Sequence, residues 1–176
     1  ELEIFGPPPT VKFTEKLINI DYGAFAHDLI ARTNHPLSLN SFKRRGGKLP
    51  RKLPSFKPND IFPGDTIKRE GWTVKSDLAE HVEPFLDSLA YRLEVEGKSI
   101  VFTGDTRPCK TVEKLAYKAD YLICLCIALQ DQIDGTPEAD YMMGHIDAGM
   151  LARNAEVKNL ILVHEALNIS SEDNFK

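Results

Sequence analysis

After residue 70, apolar runs typical of strands alternate with stretches of helical spacing. Residues 121–127 and Asn159–Val163 are dominated by apolar side chains, as expected for strands buried on both faces of a sheet. Between these runs, residues 147–155 have the amphipathic spacing of a helix. The order of strand, helix and strand predicts an α/β fold in which helices cover a sheet.

Extended runs also precede the first buried strand. Three strands are predicted there, at residues 72–79, 88–95 and 99–103. A tight turn at Gly97 joins the last two into a hairpin. The hairpin ends at Gly104, which leaves Asp105 directed off the strand end. A helix is predicted over residues 111–118, from its apolar spacing.

The first 70 residues are less regular. A strand at residues 2–5 and a helix that begins at Thr10 are predicted. Prolines then recur at positions 36, 50, 54, 58 and 63, and such a density of proline interrupts helices and strands. We expect one domain over residues 1–176 with a loop-rich segment at 21–63, since this length is enough for a single hydrophobic core.

The loop-rich segment concentrates positive charge. Residues 43–52, Lys-Arg-Arg-Gly-Gly-Lys-Leu-Pro-Arg-Lys, carry six cationic side chains. A solvated surface loop explains this composition. A clamp for an anionic substrate explains it as well, because the two glycines allow close approach of the backbone. Both interpretations stay open from the sequence.

Charge and cysteine content restrict the classes of partner and compartment. The formal net charge of −4 gives no overall attraction to nucleic acid or to anionic membranes. No apolar run approaches the roughly 20 residues of a membrane span, and no export signal is visible. Cys124 and Cys126 are expected to be core residues of one strand rather than a disulfide. We therefore expect a cytoplasmic, reducing compartment and no membrane partner.

Three histidines and one aspartate lie where strand-like apolar runs end. They are His81, Asp105, His145 and His164. Imidazoles and carboxylates held at strand ends are suitable ligands for a borderline metal such as zinc. The pattern therefore indicates part of a metal site.

Each of these residues also has a simpler explanation. A histidine at a strand end, such as His81, can be satisfied by a backbone carbonyl. Asp105 follows a glycine and can cap a helix or a turn. A histidine that ends a strand, such as His164, is ambiguous by itself. His145 lies just before the predicted helix, and is interpreted either as a loop residue or as a group that contacts the substrate or the leaving group.

Several segments together form a known pattern: residues 79–84, 88–93, 100–109, 119–123, 147–149 and 160–164. The strand that ends in Gly104-Asp105-Thr106 and the later strand that ends in His164 are the most specific of them. In this order the segments resemble the metallo-β-lactamase superfamily, in its ribonuclease Z-like and arylsulfatase-like branch. The resemblance implies an αββα sandwich, represented here by an incomplete and mainly C-terminal portion.

The resemblance also implies roles for individual residues. His81 would be a terminal ligand of one zinc ion and His164 a terminal ligand of a second, with the carboxylate of Asp105 bridging the two. Asp105 and His145 would be the catalytic residues. Two zinc ions with a bridging carboxylate activate water near neutral pH. The implied reaction is the hydrolysis of an ester, such as a phosphodiester or an aryl sulfate, in a small-molecule substrate.

The sequence departs from the superfamily at three points. The His-x-His-x-Asp-His motif, which supplies most of the metal ligands, occurs nowhere in these 176 residues, and we expect it to lie before the first residue of this chain. Leu125 stands where ribonuclease Z enzymes have a glutamate. The segment between His81 and Asp105 is a short hairpin without the long insertion of those enzymes. These departures favour an arylsulfatase-like hydrolase and do not favour a nucleic-acid substrate.

Two functional hypotheses follow. The first is a dinuclear zinc hydrolase whose site is completed by residues outside this chain. The second is a non-catalytic module or fragment of the same fold, used for partner binding or dimerisation. Homodimers are frequent among relatives, so a homodimer is possible, although no self-complementary patch is visible in the sequence.

Overall fold

The structure, a computed structural model, describes residues 1–164. Backbone contacts divide the chain into two compact units, Glu1–Ile61 and the part from Phe62 onward. A single domain over residues 1–176 stays a prediction. Within the described residues, no helix is both long and apolar enough to cross a membrane.

The first unit contains three helices and a pair of parallel strands. Its elements are β1 Leu2–Gly6, α1 Thr10–Ile18, α2 Ala26–Asn34, α3 Pro36–Arg44 and β2 Phe56–Asp60. The strand at residues 2–5 and the helix from Thr10 are confirmed. The segment 21–63 is less loop-rich than predicted, because it contains α2, α3 and β2. Pro36 occupies the first turn of α3, where a missing amide hydrogen breaks no helical hydrogen bond.

The second unit is a mixed six-stranded sheet covered by helices. Its strands, neighbours in the sheet in the order of the chain, are β3 Thr66–Arg69, β4 Trp72–Ala79, β5 Ser88–Val95, β6 Lys98–Phe102, β7 Tyr121–Leu125 and β8 Asn159–Val163. Its helices are α4 Lys110–Leu115, α5 Gln130–Ile133 and α6 His145–Asn154, with a 3₁₀ turn at Pro137–Asp140. The predicted strands and the helices at 111–118 and 147–155 are confirmed, with small shifts of their ends.

The mode of strand pairing changes once across this sheet. Strands β3 to β6 pair antiparallel, whereas β6, β7 and β8 pair parallel. Because β4 and β6 are both antiparallel to β5, they run in the same direction, which is also the direction of β7 and β8. The C-terminal ends of β4, β6, β7 and β8 therefore meet at one edge of the sheet.

One face of the sheet forms the hydrophobic core with α4 and α6. Val101 and Leu122 are fully buried there, and α4 and α6 contribute Val112 and Ala148. Cys124 belongs to this core and is a free thiol, as predicted; burial raises its pKa to about 12. Cys126 is buried as well.

The opposite face of the sheet carries a row of apolar side chains that remain partly exposed. Those with at least a third of their surface exposed are Trp72, Val95, Phe102, Tyr121, Ile161 and Val163. The registered pairs Trp72–Val95 and Ile123–Ile161 show that such side chains are neighbours across strands. Contiguous apolar surface of this kind is typical of an interface.

A buried carboxylate ties β7 to its neighbours at the start of the strand. The backbone amide of Ser99 and the ammonium of Lys158 each donate a 2.9 Å hydrogen bond to the carboxylate of Asp120, which is 7% exposed. The bond from Lys158, followed by that from the Ser99 backbone, lowers the pKa of Asp120 to about 2.

We expect Asp120→Asn to lower the melting temperature by about 5 °C at pH 7, because the amide loses the ionic partner of Lys158 and places an amino group against a donor. The folded-state pKa lies below the unfolded one, so the stabilisation is complete above about pH 4 and is lost as the pH falls toward the value of about 2. Thermal unfolding followed by circular dichroism across this range tests it, with the exposed Asp131→Asn as control. A difference in melting temperature that does not depend on pH would contradict the expectation.

Candidate metal centre

Three of the predicted ligands come from strands that end at the same edge of the sheet. His81 follows β4, Asp105 follows β6 and His164 directly follows β8. Parallel alignment of these strands brings the three side chains together although 59 residues separate Asp105 from His164. This is why positions far apart in the sequence form one cluster.

His81 is oriented by a backbone carbonyl. Its Nδ1 lies 2.9 Å from the carbonyl oxygen of Tyr141, so Nδ1–H is the donor and Nε2 keeps its lone pair. Nε2 faces Oδ2 of Asp105 at 3.9 Å. Metal-binding histidines usually donate one ring N–H to a backbone carbonyl or a carboxylate, which orients the other ring nitrogen toward the metal. His81 has this arrangement, since its Nε2 faces the ligand cluster.

Asp105 lies between the two histidines. Its Oδ1 is 3.1 Å from Nδ1 of His164, and its Oδ2 faces His81. Gly104 before it has φ +62, a left-handed conformation that favours glycine and that turns the chain sharply off β6. The two oxygens of one carboxylate are therefore directed to two different imidazoles.

His164 has an uncommon backbone conformation. Its φ is +67, in the left-handed region that residues with a Cβ rarely occupy. The backbone amide of Cys126 donates to the carbonyl of Val163 at 2.9 Å, so the strand is held up to the residue before the turn. Such conformations are concentrated at functional sites, where the surrounding structure imposes them.

The loops that carry His81 and Asp105 are joined by a buried threonine. The hydroxyl of Thr106, which is fully buried, accepts a 3.0 Å hydrogen bond from the Glu80 amide and donates toward the Glu80 carbonyl. Arg107 reinforces the connection: its amide donates to the same carbonyl at 2.8 Å, and its side chain pairs with the Glu80 carboxylate at 2.7 Å. These contacts fix the distance between the two ligand loops.

His145 is placed by a different contact. It is the first residue of α6, and its Nδ1 accepts a 3.0 Å hydrogen bond from the backbone amide of Gln130. The imidazole is then neutral with its proton on Nε2, which makes Nε2–H a donor. Within residues 1–164, no hydrogen bond or ion pair joins His145 to Asp105, His81 or His164. The structure thus joins three of the four predicted residues by direct contacts, and His145 has no such contact with them within the described part of the chain.

The donor set suits a divalent metal. Two ligands of one tetrahedral zinc ion, with bonds of about 2.0–2.1 Å, lie roughly 3.4 Å apart. The separations of 3.9 Å and 3.1 Å on the two sides of Asp105 bracket this value. Within residues 1–164, however, no three His, Cys, Asp or Glu side chains surround one point. The arrangement offers two pairs of ligands that share Asp105.

Three supporting groups were not predicted from the sequence. They are the hydroxyl of Thr106, the carbonyl of Tyr141 and the backbone amide of Gln130. Two of these are backbone groups, which leave no signal in residue types. Thr106 follows Asp105 directly, but a threonine after a strand is too common to indicate a bridge between loops.

Solved structures with the same fold support the architecture. The metallo-β-lactamase fold protein YhfI from Bacillus subtilis aligns with 80% of this chain and 53% of its own, with a TM-score of 0.56 and 21% identity. The short form of human tRNase Z aligns with 94% of this chain and 61% of its own, with a TM-score of 0.58 and 16% identity. The chain has the metallo-β-lactamase fold.

Comparison of amino-acid sequences identifies more specific relatives of this chain. Ribonuclease Z of Mycobacterium tuberculosis H37Rv is 28% identical over 169 residues, which are 93% of this chain and 56% of the relative. Ribonuclease Z of Mycobacterium marinum is 26% identical over 183 residues, with 99% and 60% covered. In sequence, the chain resembles the ribonuclease Z-like branch of the metallo-β-lactamase superfamily. No protein-family model matches it, and it spans little more than half the length of these two relatives.

Proposed function

We propose that the protein is a metal-dependent hydrolase that holds two zinc ions and cleaves phosphodiester bonds in RNA. The observation that carries the proposal is the position of Asp105, whose two carboxylate oxygens face His81 and His164 separately. A carboxylate shared between two imidazoles is the arrangement that a bridging ligand requires.

In this proposal each residue has a defined task. His81 keeps the tautomer with a free Nε2, because Tyr141 accepts its other proton. Asp105 holds the two sides of the site at a fixed separation. The Nε2–H of the neutral His145 donates a hydrogen bond to the developing charge on the leaving oxygen, and the amide of Gln130 fixes the orientation of its ring. Bound zinc would lower the pKa of a water molecule and neutralise charge on the attacked group.

The ligand set in this chain is incomplete for catalysis. A catalytic zinc ion generally has three protein ligands and one water. Asp105 with one histidine supplies two ligands for each ion. The remaining ligands would come from a His-x-His-x-Asp-His motif, which these 176 residues do not contain.

RNA is the substrate class that the relatives favour. The mycobacterial relatives are named ribonuclease Z, whereas the sequence departures favoured an arylsulfatase-like substrate. The preference for the arylsulfatase-like side is not confirmed, although Leu125 is fully buried and offers no acid. Since His145 is oriented by a backbone amide, its role does not require a carboxylate at position 125.

The test is metal analysis and hydrolysis with the intact gene product, purified without chelator. We expect about two zinc ions per chain by plasma mass spectrometry. We also expect hydrolysis of bis(p-nitrophenyl) phosphate, no comparable hydrolysis of p-nitrophenyl sulfate, and cleavage of RNA. Removal of the metal with a chelator should abolish hydrolysis, and zinc should restore it.

The exposed apolar face of the sheet favours the second candidate function, a module for partner binding or dimerisation. Three results together would support that function and overturn the hydrolase: the intact protein binds no zinc, it has no esterase activity, and its mass in solution rises with protein concentration because it self-associates. A homodimer and the cytoplasmic location stay predictions.

A further inference from the structure

The first unit contains a stretch in which every formal charge is positive. Residues 29–58 include eight of the 22 Lys and Arg residues of the chain and none of its 26 Asp and Glu residues. The remainder of the protein is therefore strongly acidic. The net charge of −4 is a sum over the whole chain, so it does not reveal that positive charge is concentrated in this stretch.

The structure folds the end of this stretch back onto α3. The guanidinium of Arg51 lies 4.9 Å from the centre of the Phe42 ring, and its Nη1 donates a 3.1 Å hydrogen bond to the carbonyl of Arg32. Gly47 lies against the same ring, so close that a Cβ at this position would be 2.5 Å from ring carbons. Gly46 has φ +87 and makes the turn possible. The double glycine therefore has a structural purpose.

A cavity of about 340 Å³ lies beside this turn. Its polar lining consists of three arginines and two serines: Arg32, Arg45, Arg51, Ser38 and Ser41. No carboxylate lines it. Arg32 is the one of these arginines that pairs with an acid, Asp28, at 2.6 Å. Within residues 1–164, Arg45 and Arg51 pair with no carboxylate, and their guanidinium groups together with the serine hydroxyls match the hydrogen-bonding needs of a phosphate group.

The positive charge continues outside the cavity. Lys43 and Arg44 belong to the last turn of α3, and Lys48 and Lys52 flank the folded-back Arg51. All four are exposed. A single small anion would contact the cavity alone, whereas a chain of phosphates could contact the cavity and the lysines around it.

We propose that this surface, from Arg32 at the end of α2 through α3 to Lys52 after the turn, binds backbone phosphates of single-stranded RNA. The inference rests on the proposed function, because it takes RNA as the substrate. The arginine cavity receives one phosphate, and the surrounding lysines contact its neighbours. Binding through phosphates is independent of base sequence and depends strongly on salt.

The test compares two triple variants of the intact protein. Lys43→Gln/Arg45→Gln/Lys48→Gln removes three positive charges from this surface and spares Phe42 and Arg51, which hold the turn together. We expect binding of a fluorescein-labelled single-stranded RNA, measured by anisotropy, to weaken at least about 10-fold. The slope of log K against log salt should become shallower by about 2, since each phosphate contact contributes about 0.7.

The control is Lys12→Gln/Lys16→Gln/Lys68→Gln, which removes the same charge at other exposed lysines. It should leave both the affinity and the slope unchanged, and both variants should hydrolyse bis(p-nitrophenyl) phosphate at the wild-type rate.

Three outcomes would overturn this inference. The first is unchanged RNA binding in the Lys43/Arg45/Lys48 variant. The second is an equal loss in the control variant. The third is binding of the wild type to vesicles that contain phosphatidylserine but not to RNA. Failure of the proposed hydrolase has a different signature, which is the absence of zinc and of ester hydrolysis in a wild-type protein that still binds RNA through this surface.

Discussion

Replacing Asp105 with asparagine is expected to reduce hydrolysis at least about 1,000-fold, which corresponds to about 4 kcal/mol of barrier. Asparagine has the shape of aspartate but offers one oxygen instead of two, and its amino group cannot ligate a cation. One of the two histidines that face this carboxylate would then have no shared partner. Zinc content should fall from about two ions per chain to fewer than one.

Plasma mass spectrometry and initial rates with bis(p-nitrophenyl) phosphate measure the two effects. Asp105 is partly exposed, so the melting temperature of the metal-free protein should change little. Asp131→Asn, an exposed aspartate on α5, is the matched control. Full zinc content together with near-normal rates in Asp105→Asn would eliminate the bridging role.

Replacing His145 with asparagine should separate stabilisation of the leaving oxygen from metal binding. The asparagine oxygen lies close to the position of Nδ1 and can accept the hydrogen bond from the amide of Gln130, but the Nε2–H donor is lost. We expect kcat for RNA cleavage to fall by at least about 100-fold, the usual effect of removing one hydrogen-bond donor from a developing oxyanion. Zinc content should stay the same, since no contact joins His145 to the Asp105 cluster in residues 1–164.

The leaving group supplies a sharper criterion. The alkoxide released from RNA concentrates negative charge on one oxygen and depends on a hydrogen-bond donor, whereas p-nitrophenolate spreads its charge over the ring and leaves without one. The His145→Asn variant should therefore cleave bis(p-nitrophenyl) phosphate at close to the wild-type rate while it loses activity on RNA. An equal loss on both substrates, or a loss of zinc, would mean that His145 supports the site in another way. His27→Asn, at an exposed position of the first unit outside the basic surface, is the control.

Much of the second unit was predictable because its signals are local. The runs at 121–127 and 159–163 contain enough apolar residues to require burial, and the turn at Gly97 defines the hairpin. These elements also explain why His81, Asp105 and His164 meet, because the order of strands determines which strand ends share an edge. Resemblance to a known family then supplied roles that residue types alone left ambiguous.

The first unit was predicted less well. Prolines suggested loops over 21–63, yet Pro36 begins a helix and Pro58 lies in a strand of a two-stranded sheet. Whether a proline interrupts a helix or strand depends on its position within that element, and the sequence did not give the element boundaries. The fold of the basic stretch was also unpredictable, because it depends on the contact of Arg51 with Phe42 and on the close approach of Gly47.

The six-stranded sheet tolerates insertions differently at its two edges, where opposite ends of the strands lie. The turns between β3 and β4 and between β5 and β6, at Gly71 and Gly97, lie at the edge opposite the histidines and consist of two residues each. Insertions at these turns would lengthen the sheet's remote side without moving a ligand. An insertion after β4, β6 or β8 would displace a ligand directly. Lineages of this fold can therefore acquire new segments at one edge while the chemistry at the other remains intact.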